Sequence, residues 1–286
     1  MAVAVIGAAG CIGREVVRAL RLREIVVYAC GTKFGRTDIK VDLTDRATWT
    51  NLPRDVSAVV ICAGLGDLRQ CRLMPQAVSA VNVSGTSAFV SHLARQDIFS
   101  VTLSTNYVFD GLRADYGPKD PPRPVCAYGR QKAKMERAVA TDLSAGRAAI
   151  VRLTKVLSGE NRLLQSWGAS LVGGKTVVAA CDARAAFLSP GFVAESLTSI
   201  VSTRSAGLWQ LSACDDLSWL EVAGATAAAL DAPADLVRGK KLIEIDPEAE
   251  FTPMHGTLAS AWPTTMEAPS SKLAVRRALD SICARP

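Results

Sequence analysis

Ala2-Val-Ala-Val-Ile-Gly-Ala-Ala-Gly-Cys-Ile-Gly13 is the stretch whose reading decides the fold. Five apolar residues in a row, Ala2–Ile6, read as a strand buried on both faces, a habit of parallel sheets. Gly7, Gly10 and Gly13 follow, with Cys11 and Ile12 between them, and residues 14–23 have the pattern of an amphipathic helix. Glycine between strand and helix lets the backbone approach a pyrophosphate, whose charge the helix N-terminus then holds. The spacing is GxxGxxG rather than GxGxxG, and alone it also fits a plain tight turn. Its place after an N-terminal strand in a βαβ pattern strengthens the nucleotide reading.

Working outward, strand patterns recur at residues 24–30, 57–63, 99–104 and 148–154. Helical patterns lie between them at 45–52, 75–95 and 126–143. This alternation predicts an α/β fold with a Rossmann-type doubly wound parallel sheet over residues 1–155. Residues 156–286 are less regular. Helices are expected at 162–172, 191–203, 218–230 and 271–279, and strands at 176–181, 208–211 and 241–245. The expected layout is a smaller C-terminal substrate-binding lobe, with some later segments crossing back to the first domain.

The chain has 286 residues, 49% of them hydrophobic and 21% charged, so a sizeable core is expected rather than disorder. The net charge of +6 is spread along the sequence rather than gathered in runs. That argues against a nucleic-acid partner and fits anionic small molecules better, though an ordinary solvated surface explains most of it. Eight cysteines form no CxxC, and His92 and His255 are the two histidines, so no metal site is expected. Cysteines in apolar runs suit a reducing compartment. No apolar segment approaches membrane-spanning length, and no charged leader precedes the first strand, so a soluble, cytoplasmic protein is expected.

The chemistry-bearing residues lie downstream. Tyr128 and Lys132, at i and i+4, share one helix face. A nearby ammonium favours the phenolate, so this pair suits proton exchange with a carbonyl/alcohol couple. Ser104 and Thr105 end the fourth strand of the first half, where a hydroxyl can polarise a substrate carbonyl. Together with the glycine turn they describe a nicotinamide-dependent oxidoreductase. After the second strand no acid stands where one would grip a ribose diol, whereas Thr32, Lys33 and Arg36 do. That favours the 2′-phosphate of NADP over NAD, unless Lys33 and Arg36 are merely solvated loop charges. Asp42 and Leu43 are placed to flank adenine. The small residues Cys62, Ala63 and Gly64, ending another strand, allow close approach of the cofactor.

The chain resembles the extended short-chain dehydrogenases/reductases, and within them the dTDP-4-dehydrorhamnose reductase branch. The resemblance rests on the glycine turn, Val41-Asp-Leu-Thr-Asp45, Ala80-Val-Asn-Val-Ser-Gly-Thr86, Leu103-Ser-Thr-Asn-Tyr-Val-Phe-Asp-Gly111 and Tyr128-Gly-Arg-Gln-Lys132 with Glu136. Weaker echoes follow at Ser189-Pro-Gly-Phe-Val193 and Ser270-Ser-Lys-Leu273. It implies Tyr128 as proton donor, Lys132 as the residue lowering the Tyr128 pKa and binding the nicotinamide ribose, and Thr105 as the assisting hydroxyl. Ser104, Asn106 and Val108 would complete the substrate side. Asn82 would lie near the active centre, where a structural role is at least as plausible. The implied reaction is NADPH-dependent reduction of a 4-keto sugar nucleotide or related ketone, possible as a homodimer.

Three departures touch the substrate side: Asn106 replaces an Asp, the segment from Arg152 to Gly159 lacks an aromatic, and residues 182–187 differ. Two other readings therefore stand beside reduction. One is a non-catalytic NADP-binding regulatory subunit of the same fold. The other is an epimerase or dehydratase that retains NAD.

Overall fold

The computed structural model describes residues 1–32, 37–262 and 266–283. Its first half is built from β1 (Ala2–Ile6), β2 (Val26–Gly31), β3 (Ile39–Lys40), β4 (Val56–Ile61), β5 (Phe99–Thr105) and β6 (Ala148–Leu153). Short strands β7 (Lys155–Val156), β8 (Val177–Ala180), β9 (Arg184–Ala185) and β10 (Phe187–Leu188) follow, then β11 (Gly207–Leu211), β12 (Leu217–Ser218) and β13 (Val237–Lys240). Seven of these form one parallel sheet in the order β11-β6-β5-β4-β1-β2-β3. A Rossmann-type sheet was the expectation, and this is one.

The helices of the first half are α1 (Cys11–Leu22), α2 (Leu68–Leu73), α3 (Pro75–Ser79), α4 (Thr86–Arg95), α5 (Ala127–Ala138) and α6 (Ala140–Ser144). Later come α7 (Arg162–Val172), α8 (Pro190–Thr203), α9 (Trp219–Ala229), α10 (Leu242–Ile245) and α11 (Ser271–Cys283). Strand alternation divides the core. Val3, Val5, Val60 and Val101 pack with Val16 and Leu20 of α1 and Leu197 and Ile200 of α8. Ala4, Ile6, Ile61 and Ile150 face Phe89 and Leu93 of α4 and Met135 of α5 on the other side. The sheet is buried on both faces, which is why its central strand β1 reads as an unbroken apolar run.

Residues 190–211 thus join the sheet domain: α8 packs on α1, and β11 extends the sheet beside β6. A separate core of Leu164, Trp167, Leu171, Val222 and Leu279 lies among α7, α9 and α11. One strand expectation fails. Residues 241–245 form the short helix α10, while the strand beside β8 is β13. Glu244 accepts from Lys241 N and closes a helical turn that the apolar pattern of Leu242, Ile243 and Ile245 masks. The helix expected over 75–95 carries a π-helical stretch, Ala80–Gly85, between α3 and α4. The expected helix at 45–52 is a 3-10 helix, Arg46–Asn51.

α5 is fastened to the sheet through charge. Glu136 is buried and receives Arg152 Nη2 at 2.7 Å and Nε at 3.0 Å, and Ser104 Oγ donates to it at 2.5 Å. Arg152 Nη1 donates onward to Gln210 Oε1 at 3.1 Å. One buried network thereby joins β5, β6, β11 and α5. Removing one partner of such a pair leaves a buried uncompensated charge. Arg152→Met should lower unfolding stability in urea by about 3–5 kcal/mol. The double replacement Glu136→Leu with Arg152→Met should cost clearly less than the sum of the two single changes. Additive costs would contradict this account.

Candidate functional site

At the carboxyl ends of β1, β2 and β4 the glycine turn is built by close approach. Gly7 has φ +81°, and a Cβ there would lie 2.6 Å from Ala63 N. A Cβ on Gly13 would lie 2.3 Å from Gly7 O, so both positions exclude a side chain. Gly10 caps α1 without a side chain, and the first amide bonded back into the helix is that of Arg14, to Gly10 O at 3.0 Å. The N–H groups of the first turn therefore point outward with no side-chain cap, the arrangement that receives an anion.

Three cavities run on from this turn. The first, about 290 Å³, is lined by Gly7, Thr32, Asp42, Leu43, Ala63 and Gly64 among others. The second, about 320 Å³, shares Ala63 and Gly64 with it and adds Ile12, Cys62, Thr105, Tyr128 and Lys132. The third, about 270 Å³, shares Leu68, Tyr107 and Lys155 with the second and reaches Trp219 and Phe251 of the C-terminal part. One cleft thus runs from the end of β2 past Tyr128 into the lobe. Lys33 and Arg36 lie outside the described residues. Asp42 lines the first cavity together with Thr44, its Oδ1 accepting from Thr44 N at 2.8 Å and Thr44 Oγ1 at 2.7 Å.

Tyr128 is brought to Thr105 by tight local packing. Thr105 caps a 3-10 turn, Asn106–Val108, by accepting from Tyr107 N at 3.2 Å. The first turn of α5 presses onto that turn at Gly129, where a Cβ would lie 2.0 Å from Tyr107 O. Cys126 Sγ caps α5 by accepting from Gly129 N at 3.4 Å. Lys132, one turn on, donates to Leu103 O at 3.0 Å. Asn82, in the π-helical stretch, accepts from Leu65 N at 2.9 Å. It donates to Leu65 O at 2.8 Å and to Gln131 Oε1 at 3.0 Å, tying the loop after β4 to α5.

The proton affinities differ from the sequence expectation. Burial pushes the Tyr128 phenol well above its ordinary range, Cys71, Tyr107 and Cys126 add to the rise, and the Thr105 hydrogen bond opposes it. Burial also brings the Lys132 ammonium down to about 8, with Glu136 and Cys71 opposing. Desolvation outweighs the attraction that i, i+4 spacing suggested, so the phenol is held protonated rather than poised as phenolate.

Of the residues expected on the substrate side, one is turned away from it and another has its hydroxyl engaged elsewhere. Val108 is fully buried with Phe109, Ala133 and Leu258, because the 3-10 turn rotates it into the core. Ser104 lines the cleft, but its hydroxyl is committed to Glu136. Asn106 does line the cleft, with its Nδ2 donating to Gly256 O at 3.0 Å. The sequence reading missed Gly66, Leu68 and Tyr107 as cleft residues, and it placed the segment holding Thr154 and Lys155 on the substrate side without singling out either residue.

A family model, the RmlD substrate binding domain, matches residues 1–276. The methionine adenosyltransferase 2 subunit beta of Rattus norvegicus is 31% identical over 166 residues, covering 57% of this chain and 49% of that protein. A dTDP-4-keto-6-deoxy-D-glucose reductase of Streptomyces niveus is 34% identical over 152 residues, covering 52% and 50%. The chain thus spans about half the length of the curated relatives it matches. Among solved structures, a dTDP-4-dehydrorhamnose reductase of Bacillus anthracis in complex with NADP superposes with a TM-score of 0.86. It is 18% identical and covers 98% of this chain and 99% of that one. Motifs, sheet order and a family match over nearly the whole chain agree: the protein belongs to the RmlD substrate binding domain family.

Proposed function

We propose that the protein is an NADPH-dependent reductase of a ketone carried on a nucleotide-linked sugar. The observation that carries this reading is the single cleft in which the uncapped glycine turn opens directly onto Tyr128, Thr105 and Lys132. The residues fit a dinucleotide. Side chains at Gly7 or Gly13 would collide with backbone, which keeps the turn open to a ligand. The exposed amides of the first turn of α1 suit a pyrophosphate. No acid stands at residues 31–36, directly after β2, and Thr32 does, which favours NADP over NAD; the Bacillus anthracis relative is in complex with NADP.

A bound NADPH supplies the hydride. The chain supplies the rest. Thr105 and Tyr128 meet the carbonyl oxygen, and Tyr128 gives it the proton; a phenol kept protonated by burial is in the donor state that reduction requires. Lys132 stands beside the cofactor side of the cavity, its ammonium oriented by Leu103 O. Glu136 anchors this helix face without entering the cleft.

A second reading is held up by the methionine adenosyltransferase 2 subunit beta match: a cofactor-binding regulatory partner of another enzyme. Tyr128→Phe separates the two. In a reductase it should lower turnover by about 10²–10⁴-fold while NADPH affinity, measured by fluorescence titration, stays essentially unchanged. Wild-type turnover in the variant would remove the mechanism. No NADPH oxidation across a broad carbonyl panel, together with copurification of another enzyme, would favour the regulatory role.

Lys132 gives a test of its own. Its folded proton affinity, about 8, lies below the ordinary 10.5, so between these values the unfolded chain binds more protons and stability rises with pH. Relative to Lys132→Met, the wild type should gain stability from pH 8 to 10, by an amount on the order of 3 kcal/mol at the limit. A stability difference that is flat with pH would show that the ammonium is not desolvated.

A further inference from the structure

Lys155 has no role in the mechanism above, yet it lines both the cavity that holds Tyr128 and the outer cavity beyond it. It begins β7, just past the end of β6, and its backbone is fixed by a bond from Lys155 N to Ala186 O at 2.9 Å. Its Nζ lies 5.8 Å from the Trp219 ring centre. Among the described residues its ammonium makes no hydrogen bond or ion pair. The preceding residue is similarly unpaired, since Thr154 Oγ1 is buried without a partner. Burial lowers the proton affinity of Lys155, with Asp67 opposing, and Asp67 is itself engaged in capping α2 through Gln70 N at 2.7 Å.

The charge balance of the inner cavity is one-sided. Lys132 and Lys155 line it, and no carboxylate does. The acids of the outer cavity are already occupied. Glu248 pairs with Arg72, Glu250 with Arg130 at 3.1 Å, and Asp246 accepts from Glu248 N at 3.1 Å. The outer cavity also has Arg69, exposed and without an ion pair among the described residues, to meet a diphosphate. A half-buried, partly desolvated cation without an ion-pair partner carries a cost that a ligand anion relieves.

We propose that Lys155 receives a carboxylate carried by the sugar of the nucleotide-linked substrate, in the same cavity as Tyr128 and Thr105. The inference rests on the nucleotide-sugar reading and narrows it to an acidic sugar. Lys155 is then a specificity residue for the reacting half of the substrate, and the diphosphate is left to the outer cavity.

The test uses the full chain saturated with NADP⁺ and two stable ligand pairs that differ only in the carboxylate: UDP-glucose with UDP-glucuronate, and the same pair on thymidine diphosphate. Affinities are read by isothermal titration calorimetry. Wild type should prefer the glucuronate by about tenfold, the scale of one charge-assisted hydrogen bond. Lys155→Met should erase the preference, and Lys155→Arg should keep most of it. Either a preference for the neutral sugar, or a glucuronate preference that survives in Lys155→Met, would overturn the proposal. So would an equal loss of both sugars and of UDP in Lys155→Met, which would assign Lys155 to the diphosphate. If no sugar nucleotide binds while NADPH does, the nucleotide-sugar reading itself falls and takes this one with it. Loss of the glucuronate preference alone leaves that broader reading standing.

Discussion

The Glu136–Arg152 pair holds the site together. Glu136 lies one turn past Lys132 and two turns past Tyr128, so all three share a face of α5, and pinning the first fixes the other two. The pin is buried and is met by Ser104 from β5 and, through Arg152, by Gln210 from β11. A buried ion pair is a poor source of net stability, because two charges must first leave water. Its value here is positional. A helix packed through apolar contacts alone can shift along its axis by small steps, whereas a carboxylate receiving three directed hydrogen bonds has one satisfactory position.

A second constraint acts at the other end of the helix. Gly129 touches the 3-10 turn so closely that no side chain would fit, and that turn is the direct continuation of β5. The strand thus delivers Thr105 and the helix delivers Tyr128 to the same place, with the approach set by a missing Cβ. The glycine turn after β1 uses the same device against Ala63. Both contacts replace side-chain volume with backbone proximity, which leaves room along the strand ends for a ligand.

Much of the sheet was legible because its strands are buried on both faces, and burial of that kind leaves an unmistakable apolar run. Legibility dropped where structure is decided by backbone bonds or distant contacts. The pattern of residues 241–245 suits either a strand or a helical turn, and Glu244 bonding to Lys241 N decides for the turn. Tyr128 and Lys132 were read from their spacing, since i, i+4 on a helix is a local property, and Thr105 from its place at the end of a strand; all three line one cavity. Val108 was misplaced because a single 3-10 turn reverses the alternation that a continuing strand would have kept. Thr154 and Lys155 were not singled out within a segment read as substrate-side, because which cavity the strand end faces follows from packing of segments far apart in sequence.

Spacing also misled in one physical respect. A phenol and an ammonium one turn apart should attract, and in water that attraction would favour the phenolate. Inside the cleft each group first loses its hydration, and that loss acts on both in the direction of neutrality: the phenol keeps its proton more firmly and the ammonium gives its own up more readily. The same argument bears on Lys155, whose desolvation is the larger effect and is opposed only through space by Asp67, with no ion pair between them among the described residues. A cleft that strips water from cations and has no carboxylate in its lining favours an anionic ligand. The +6 charge of the chain, spread along the sequence and uninformative there, becomes specific once folding leaves two lysines and no acid around the cavity that holds Tyr128.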